Sequence, residues 1–138
     1  MKQAKIVDCE LIHLPKVTAH AGSITSLNNS MDVLFDVKRV FYIYDIPSGE
    51  SRGAHAHRIC HQLLIATSGS FKVSVFDGAE FFEFILDRPD IGLYIPPGIW
   101  ASEFDFSGGG ICLVLASHEY DEGDYIRDYK NFLAWKSR

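Results

Sequence analysis

The 138-residue chain is short of several features that mark specialised protein classes. It has three cysteines, Cys9, Cys60 and Cys112, widely spaced and with no CxxC pair. An odd, scattered set argues against a disulfide framework and a zinc knuckle, and fits small buried hydrophobes in a reducing cytoplasm. Positive charge is also scarce: 13 Lys and Arg stand against 18 Asp and Glu, a net charge of −5. That balance excludes a general nucleic-acid or anionic-membrane binder, which needs a positive footprint. A small anionic ligand stays open, because one or two local cations suffice for it. No apolar run reaches the ~18 residues of a membrane span, and the opening MKQAKIVDCELIHL lacks the apolar stretch of a signal peptide. With no repeat, low-complexity tract or linker, the expectation is one cytoplasmic domain over residues 1–138, with neither nucleic acid nor membrane as partner.

What is present points to β-structure. Hydrophobic residues make up 47% and charged residues 22%, a globular balance, and ten Phe with six Tyr favour strands. Short strand-like runs at 5–14, 37–45, 57–66, 71–76, 79–86, 92–95 and 111–116 are separated by turn signals, among them Asp77-Gly78 and Pro96-Pro97-Gly98. Phe71, Val73 and Val75 alternate on one face, with Lys72 opposite. From Asp124 onward, Tyr125, Ile126, Tyr129 and Phe132 lie at helical spacing and predict a short C-terminal helix. Many short strands with regular turns predict an all-β sandwich or barrel.

The segment from Gly49 to Gly69 carries the chemistry. It reads glycine, five residues, His-x-His, four residues, Gln, six residues, glycine. His55 and His57 are two apart, so on a strand both project from one face, which in a small barrel is the lumen. Paired imidazoles there bind a metal or move protons. Gly53 permits close backbone approach and Arg52 suits a phosphate or carbonyl. Tyr42 and Tyr44 share one face of their strand, as a proton donor or as packing. Trp100 is placed to stack on a ring or to pack, and Lys72 to act as a lumen cation or a solvated residue. The spacing resembles the first signature of the cupin superfamily, with Gln62 where many members have Glu. The second signature closes on P-x-G-x-x-H, but Ala101 follows Pro96-Pro97-Gly98-Ile99-Trp100. The usual four-ligand set is therefore broken, and no metal is expected. His61 shares the parity of the pair and is a weaker candidate ligand.

Several stretches go further. KRVFYIYD at residues 38–45, SRGAHAHR at 51–58, GLYIPPGIW at 92–100 and LASHEYDEGDYIRDYKNF at 115–132 resemble the dTDP-4-keto-6-deoxyglucose 3,4-ketoisomerases, small sugar-nucleotide cupins. The resemblance implies an all-β cupin, a double-stranded β-helix or jelly-roll barrel, with a short C-terminal helix. It implies a homodimer acting without cofactor or metal on a dTDP-linked 4-keto-6-deoxy sugar, for amino sugars of lipopolysaccharide or S-layer glycans. Carried over, His57 is the base at C3; His55, Tyr42 and Arg52 shape the site, and Gln62 and Trp100 lie near it. Two positions depart from the family's pattern: Ala21 stands where members often have Arg, and Ala101 where they often have His. A metal-dependent cupin, a non-catalytic sugar-nucleotide module and a 3,5-epimerase are the competing classes.

Overall fold

In the computed structural model, which describes residues 3–138, those residues form twelve strands and one helix. The strands are β1 (Glu10–His13), β2 (Val17–Ala19), β3 (Gly22–Ile24), β4 (Arg39–Ile43), β5 (Arg52–His57), β6 (Gln62–Ser68), β7 (Phe71–Phe76), β8 (Phe81–Leu86), β9 (Ile91–Ile95), β10 (Trp100–Phe104), β11 (Ile111–Ala116) and β12 (Tyr125–Ile126). The helix α1 is Tyr129–Ser137. One five-stranded sheet runs β1-β9-β6-β11-β4, the other β12-β5-β10-β7-β8, and β2 with β3 forms a separate hairpin. Strand pairing among the described residues is antiparallel throughout, as in β1 with β9 and β5 with β10. This is the two-sheet jelly-roll architecture expected for a cupin barrel.

The alternation read from the sequence fills the space between the sheets. Phe71, Val73 and Val75 of β7 face Leu64, Ala66, Leu93, Cys112 and Val114 of the opposite sheet. Burying one such side chain contributes about 1.5–3 kcal/mol. Strand β6 is apolar on both faces because its outer face is also covered. Leu63 and Ile65 pack there under Leu14, Val33, Phe35 and Val37. A third cluster joins Ala56, Ile126 and Phe132, and it seats the C-terminal helix on the outside of the second sheet.

Four expectations change. Residues 5–14 are not one strand, because a short 3₁₀ turn at Ile6–Asp8 precedes β1. The 57–66 run is two strands, with the chain turning between His57 and Gln62 to change sheets. The hairpin β2-β3 and strand β10 lie where no strand was expected; β10 shows its alternation only in its buried Ala101 and Glu103. Tyr125 and Ile126 are not helical but pair with His57 and Ala56 of β5, so pairing with a sheet edge overrides their helical spacing. The helix begins later, at an N-cap where the Asp128 carboxylate accepts from the Asn131 N–H at 2.9 Å.

Candidate active site

Strand β5 positions both histidines. The chain enters it through Gly53 at φ +92°, where a Cβ would stand 3.0 Å from the Ala101 carbonyl oxygen, so the close approach to β10 requires glycine. His55 and His57 follow on one face, their rings edge-on with centroids 5.0 Å apart. His57 is 5% exposed. Its Nδ1 lies 2.7 Å from Oδ2 of Asp124. A carboxylate only accepts, so this contact makes Nδ1 the protonated nitrogen and leaves the lone pair on Nε2. That Nε2 is buried with no hydrogen-bond partner among the described residues.

Asp124 is held in turn from two sides. Its other oxygen accepts the Ile59 N–H at 2.7 Å, and its carbonyl accepts the Arg58 N–H at 2.9 Å. Burial by itself raises its carboxyl, but the bonds from His57 and Ile59 outweigh burial and hold it below the usual carboxylate range. His55 is half-buried and packs on Tyr125, with centroids 5.0 Å apart. Desolvation first, then the neighbouring His57 and Arg127, lowers its pKa to about 4, so the ring is a neutral proton acceptor at neutral pH.

The two histidines line a cavity of about 30 Å³ with Phe41, Gln62, Ala101 and Glu103. Beside it, and sharing Phe41, is an open groove of about 560 Å³ that Tyr42, Tyr44, Glu50 and Arg52 also line. The expected site residues therefore divide. His55, His57 and Gln62 meet in the cavity, and Arg52 stands at the groove next to it. Tyr42 is 60% exposed and ring-packed on Tyr44 in the groove; Phe41, its neighbour, faces the histidines instead. Trp100 is on the outer face of β10, against Tyr129 and Phe132 of α1. Lys72 also faces outward, ion-paired with Asp105 at 3.2 Å. Neither Trp100 nor Lys72 lines the cavity or the groove.

Three residues of the site were not anticipated. Phe41 is on the face of β4 opposite Tyr42 and Tyr44 and was not among the expected site residues. Asp124 lies in the HEYDEGDYIR stretch, but 67 positions from His57, and nothing local marks it as a partner. Glu103 sits on the strand that was not expected. As for metal ligands, His61 is outside the cavity, with Nδ1 2.7 Å from the Tyr94 hydroxyl and its ring near Phe35. Ala101, the Cα partner of His55, offers no donor atom. His57, Cys60 and Asp124 bring one donor atom each within 4.8 Å of one another, and His57 Nδ1 and Asp124 Oδ2 are hydrogen-bonded to each other at 2.7 Å.

Comparison with known proteins places this geometry in a group. The family described as FdtA: WxcM-like, C-terminal matches residues 7–137. A TDP-4-oxo-6-deoxy-alpha-D-glucose-3,4-oxoisomerase of Aneurinibacillus thermoaerophilus is 41% identical over 123 residues, covering 89% of this chain and 88% of the relative. The crystal structure of QdtA, a sugar 3,4-ketoisomerase of Thermoanaerobacterium thermosaccharolyticum in complex with TDP, superposes with a TM-score of 0.93 at 37% identity, over 96% of this chain and 97% of that one. A histidine-to-asparagine variant of the same QdtA was solved with TDP-4-keto-6-deoxyglucose. WlaRB, a TDP-quinovose 3,4-ketoisomerase of Campylobacter jejuni, is 42% identical with a TM-score of 0.88, over 92% of this chain and 98% of its own. By its sequence, its two-sheet barrel and its matching relatives, the chain belongs to the FdtA, WxcM-like C-terminal, family of sugar-nucleotide 3,4-ketoisomerases.

Proposed function

We propose that this protein is a sugar-nucleotide 3,4-ketoisomerase that converts dTDP-4-keto-6-deoxyglucose to a dTDP-3-keto-6-deoxyhexose. The observation that carries the proposal is the histidine pair at a cavity that adjoins an arginine-bearing groove. The ketone at C4 acidifies the C3–H bond. A neutral imidazole takes that proton, an enediolate forms, and reprotonation at C4 leaves the carbonyl at C3. The oxidation is internal to the sugar, so no redox cofactor enters, and the broken ligand set at Gln62 and Ala101 favours chemistry without a metal.

We assign the base to His55, where the resemblance puts it at His57. A base has to touch the hydrogen it removes; His55 is the more open of the two rings, while His57 Nε2 lines the same cavity without a hydrogen-bond partner among the described residues. The His57–Asp124 pair behind it orients the site and counters the positive charge that grows on His55. The diphosphate bound near Arg52 adds negative charge that strengthens His55 as a base, and the nucleotide supplies remote binding energy that holds the sugar in place. Tyr42 and Tyr44 offer aromatic surface to the nucleotide, not acid–base chemistry to the sugar. Gln62 offers the sugar a hydrogen-bonding amide within the cavity.

The proposal extends to a single domain over residues 1–138 that works as a homodimer in the cytoplasm and supplies amino sugars for lipopolysaccharide or S-layer glycans. Exposed Phe81, Phe82 and Ile85 on the edge strand β8 favour a partner, and no helix among the described residues is long and apolar enough to cross a membrane. The direct test is incubation with dTDP-4-keto-6-deoxyglucose in deuterated water, followed by NMR. A 3-keto product is expected, carrying at C4 the hydrogen taken from C3 or, where the protonated base exchanges with solvent, deuterium. Deuterium at C3 and C5 with the carbonyl still at C4 identifies an epimerase instead, and binding without exchange identifies a non-catalytic module.

A further inference from the structure

One buried acid in the cavity has no part in the chemistry so far. Glu103 is 8% exposed, and no group among the described residues hydrogen-bonds or ion-pairs with its carboxyl. Its direction is set by register. Ala101 and Glu103 of β10 pair with Val75 and Val73 of β7, both fully buried in the core. Cross-strand partners project to the same side, so Glu103 points inward with Ala101. On the other side, Ala101 pairs with His55 and Glu103 with Arg52. Glu103 therefore stands two residues along β10 from the position opposite His55, roughly 7 Å away along the strand. Ala101 lies between them, where a methyl group leaves the cavity open.

A carboxyl in such a place is costly unless it is used. Ketoisomerisation has a use for it, because two hydrogens move, one between the carbons and one between the oxygens, while a histidine base handles only the carbon-bound one. The O4 oxyanion has to gain a proton and the C3 hydroxyl has to lose one. We propose, resting on the ketoisomerase function above, that Glu103 is a second acid–base residue that carries the hydroxyl proton between O4 and O3 while His55 serves the carbon atoms.

The steps balance. His55 takes the C3 hydrogen, the C–H pair forms the C3=C4 bond, and the carbonyl pair moves to O4, which takes the proton of Glu103. The Glu103 carboxylate then takes the O3 proton, the O3 pair forms the C3 carbonyl, and the C3=C4 pair takes a proton at C4 from protonated His55. Both residues return to their starting forms, and no co-reactant is consumed.

The protonation state of Glu103 fits the first step. Burial raises its pKa, with Arg52 pulling the other way, to about 7. The polar and titratable groups on the elements packed around it are Arg52, His55 and His57 of β5, Gln62 of β6 and Cys112 of β11; β4, β7 and β9 present Phe41, Val73, Val75 and Ile95. The Cys112 thiol is itself pushed up by burial, so among the described residues Arg52 is the permanent charge that acts on Glu103. Donation to O4 needs the neutral acid, so turnover is expected to fall as pH rises through the Glu103 pKa.

The test is Glu103→Gln, assayed with dTDP-4-keto-6-deoxyglucose in deuterated water beside the parent protein. The amide still donates to O4 but cannot take the O3 proton. Carbonyl migration is expected to slow by about 10²–10⁴-fold, with TDP affinity within about twofold and deuterium entry at C3 slowed much less. The alkaline fall in turnover should also disappear. Removing a partnerless buried carboxyl should leave the melting temperature equal or higher, both in this variant and in Glu103→Leu. Migration within about twofold of the parent overturns the inference, as does a loss of rate accompanied by a lower melting temperature in both variants. If the parent itself moves no carbonyl, the ketoisomerase function falls first and this inference with it.

Discussion

Replacing Asp124 by Asn probes the buried dyad with almost no change in shape. The Asn side-chain oxygen still accepts the Ile59 N–H, a bond of 2.7 Å in the parent. Its amide nitrogen then faces His57 Nδ1, where the parent has a carboxylate oxygen at 2.7 Å. An amide donates, so Nδ1 has to become the acceptor and the proton moves to Nε2. His57 then presents an N–H to the cavity in place of a lone pair. The lost charge-assisted bond contributes about 1.5–3 kcal/mol. A change of about 2 kcal/mol in a chain of this size lowers the melting temperature by roughly 5–10 °C. Turnover is expected to fall by about 10²–10³-fold, because the tautomer is wrong and the charge that balances the protonated base is gone. The pH dependence follows from sign. The Asp124 pKa is lower folded than unfolded, so its contribution is present above the unfolded value and is lost as pH falls through the folded one. Asp124→Asn should lack that acid-side loss. Thermal melts across pH, nitrogen NMR of the His57 ring and C3 deuterium exchange read the three effects. A folded variant that exchanges and isomerises at the parent rate refutes a role for the dyad in the reaction.

Five further outcomes follow. His55→Asn should remove nearly all C3 exchange, about 10²–10⁴-fold, with TDP binding kept, while His57→Asn should cost both rate and melting temperature; if His55→Asn exchanges at the parent rate, the base is His57 after all. In the free enzyme, kcat/KM should drop as pH falls through the His55 pKa of about 4, since only the neutral ring accepts a proton; a flat profile through that range contradicts the assignment. TDP should raise the melting temperature of the parent in a concentration-dependent way, and Arg52→Ala should weaken this; equal affinity in both proteins, insensitive to salt, removes the phosphate role. Prolonged EDTA treatment should leave turnover unchanged, and activity restored by one divalent ion would reverse that; sedimentation at micromolar concentration should show a dimer, and a monomer alone would contradict it.

Local rules were enough for much of the barrel. The alternation of Phe71, Val73 and Val75, the apolar run at 111–116 and the Asp77-Gly78 turn each follow from neighbouring residues, and β7 and β11 keep their expected ends. The shared face of His55 and His57 is equally local, because two-residue spacing on a strand needs no knowledge of the rest of the chain. What local rules leave open is which face is inside. On β4, Phe41 and Tyr42 alternate as read, but β4 is an edge strand whose two faces are similarly apolar, and only the second sheet shows that Phe41 looks inward. Lys72 and Trp100 were placed by residue type, and tertiary packing took one to Asp105 and the other under α1. Tyr125 and Ile126 had helical spacing, yet the free edge of β5 claimed them, and that pairing brings Asp124 to His57. Glu103 became legible only once β10 lay between β5 and β7. Spacing along a strand is a property of adjacent residues; the partner of a buried histidine, and the acid across the cavity from it, are properties of how distant strands close.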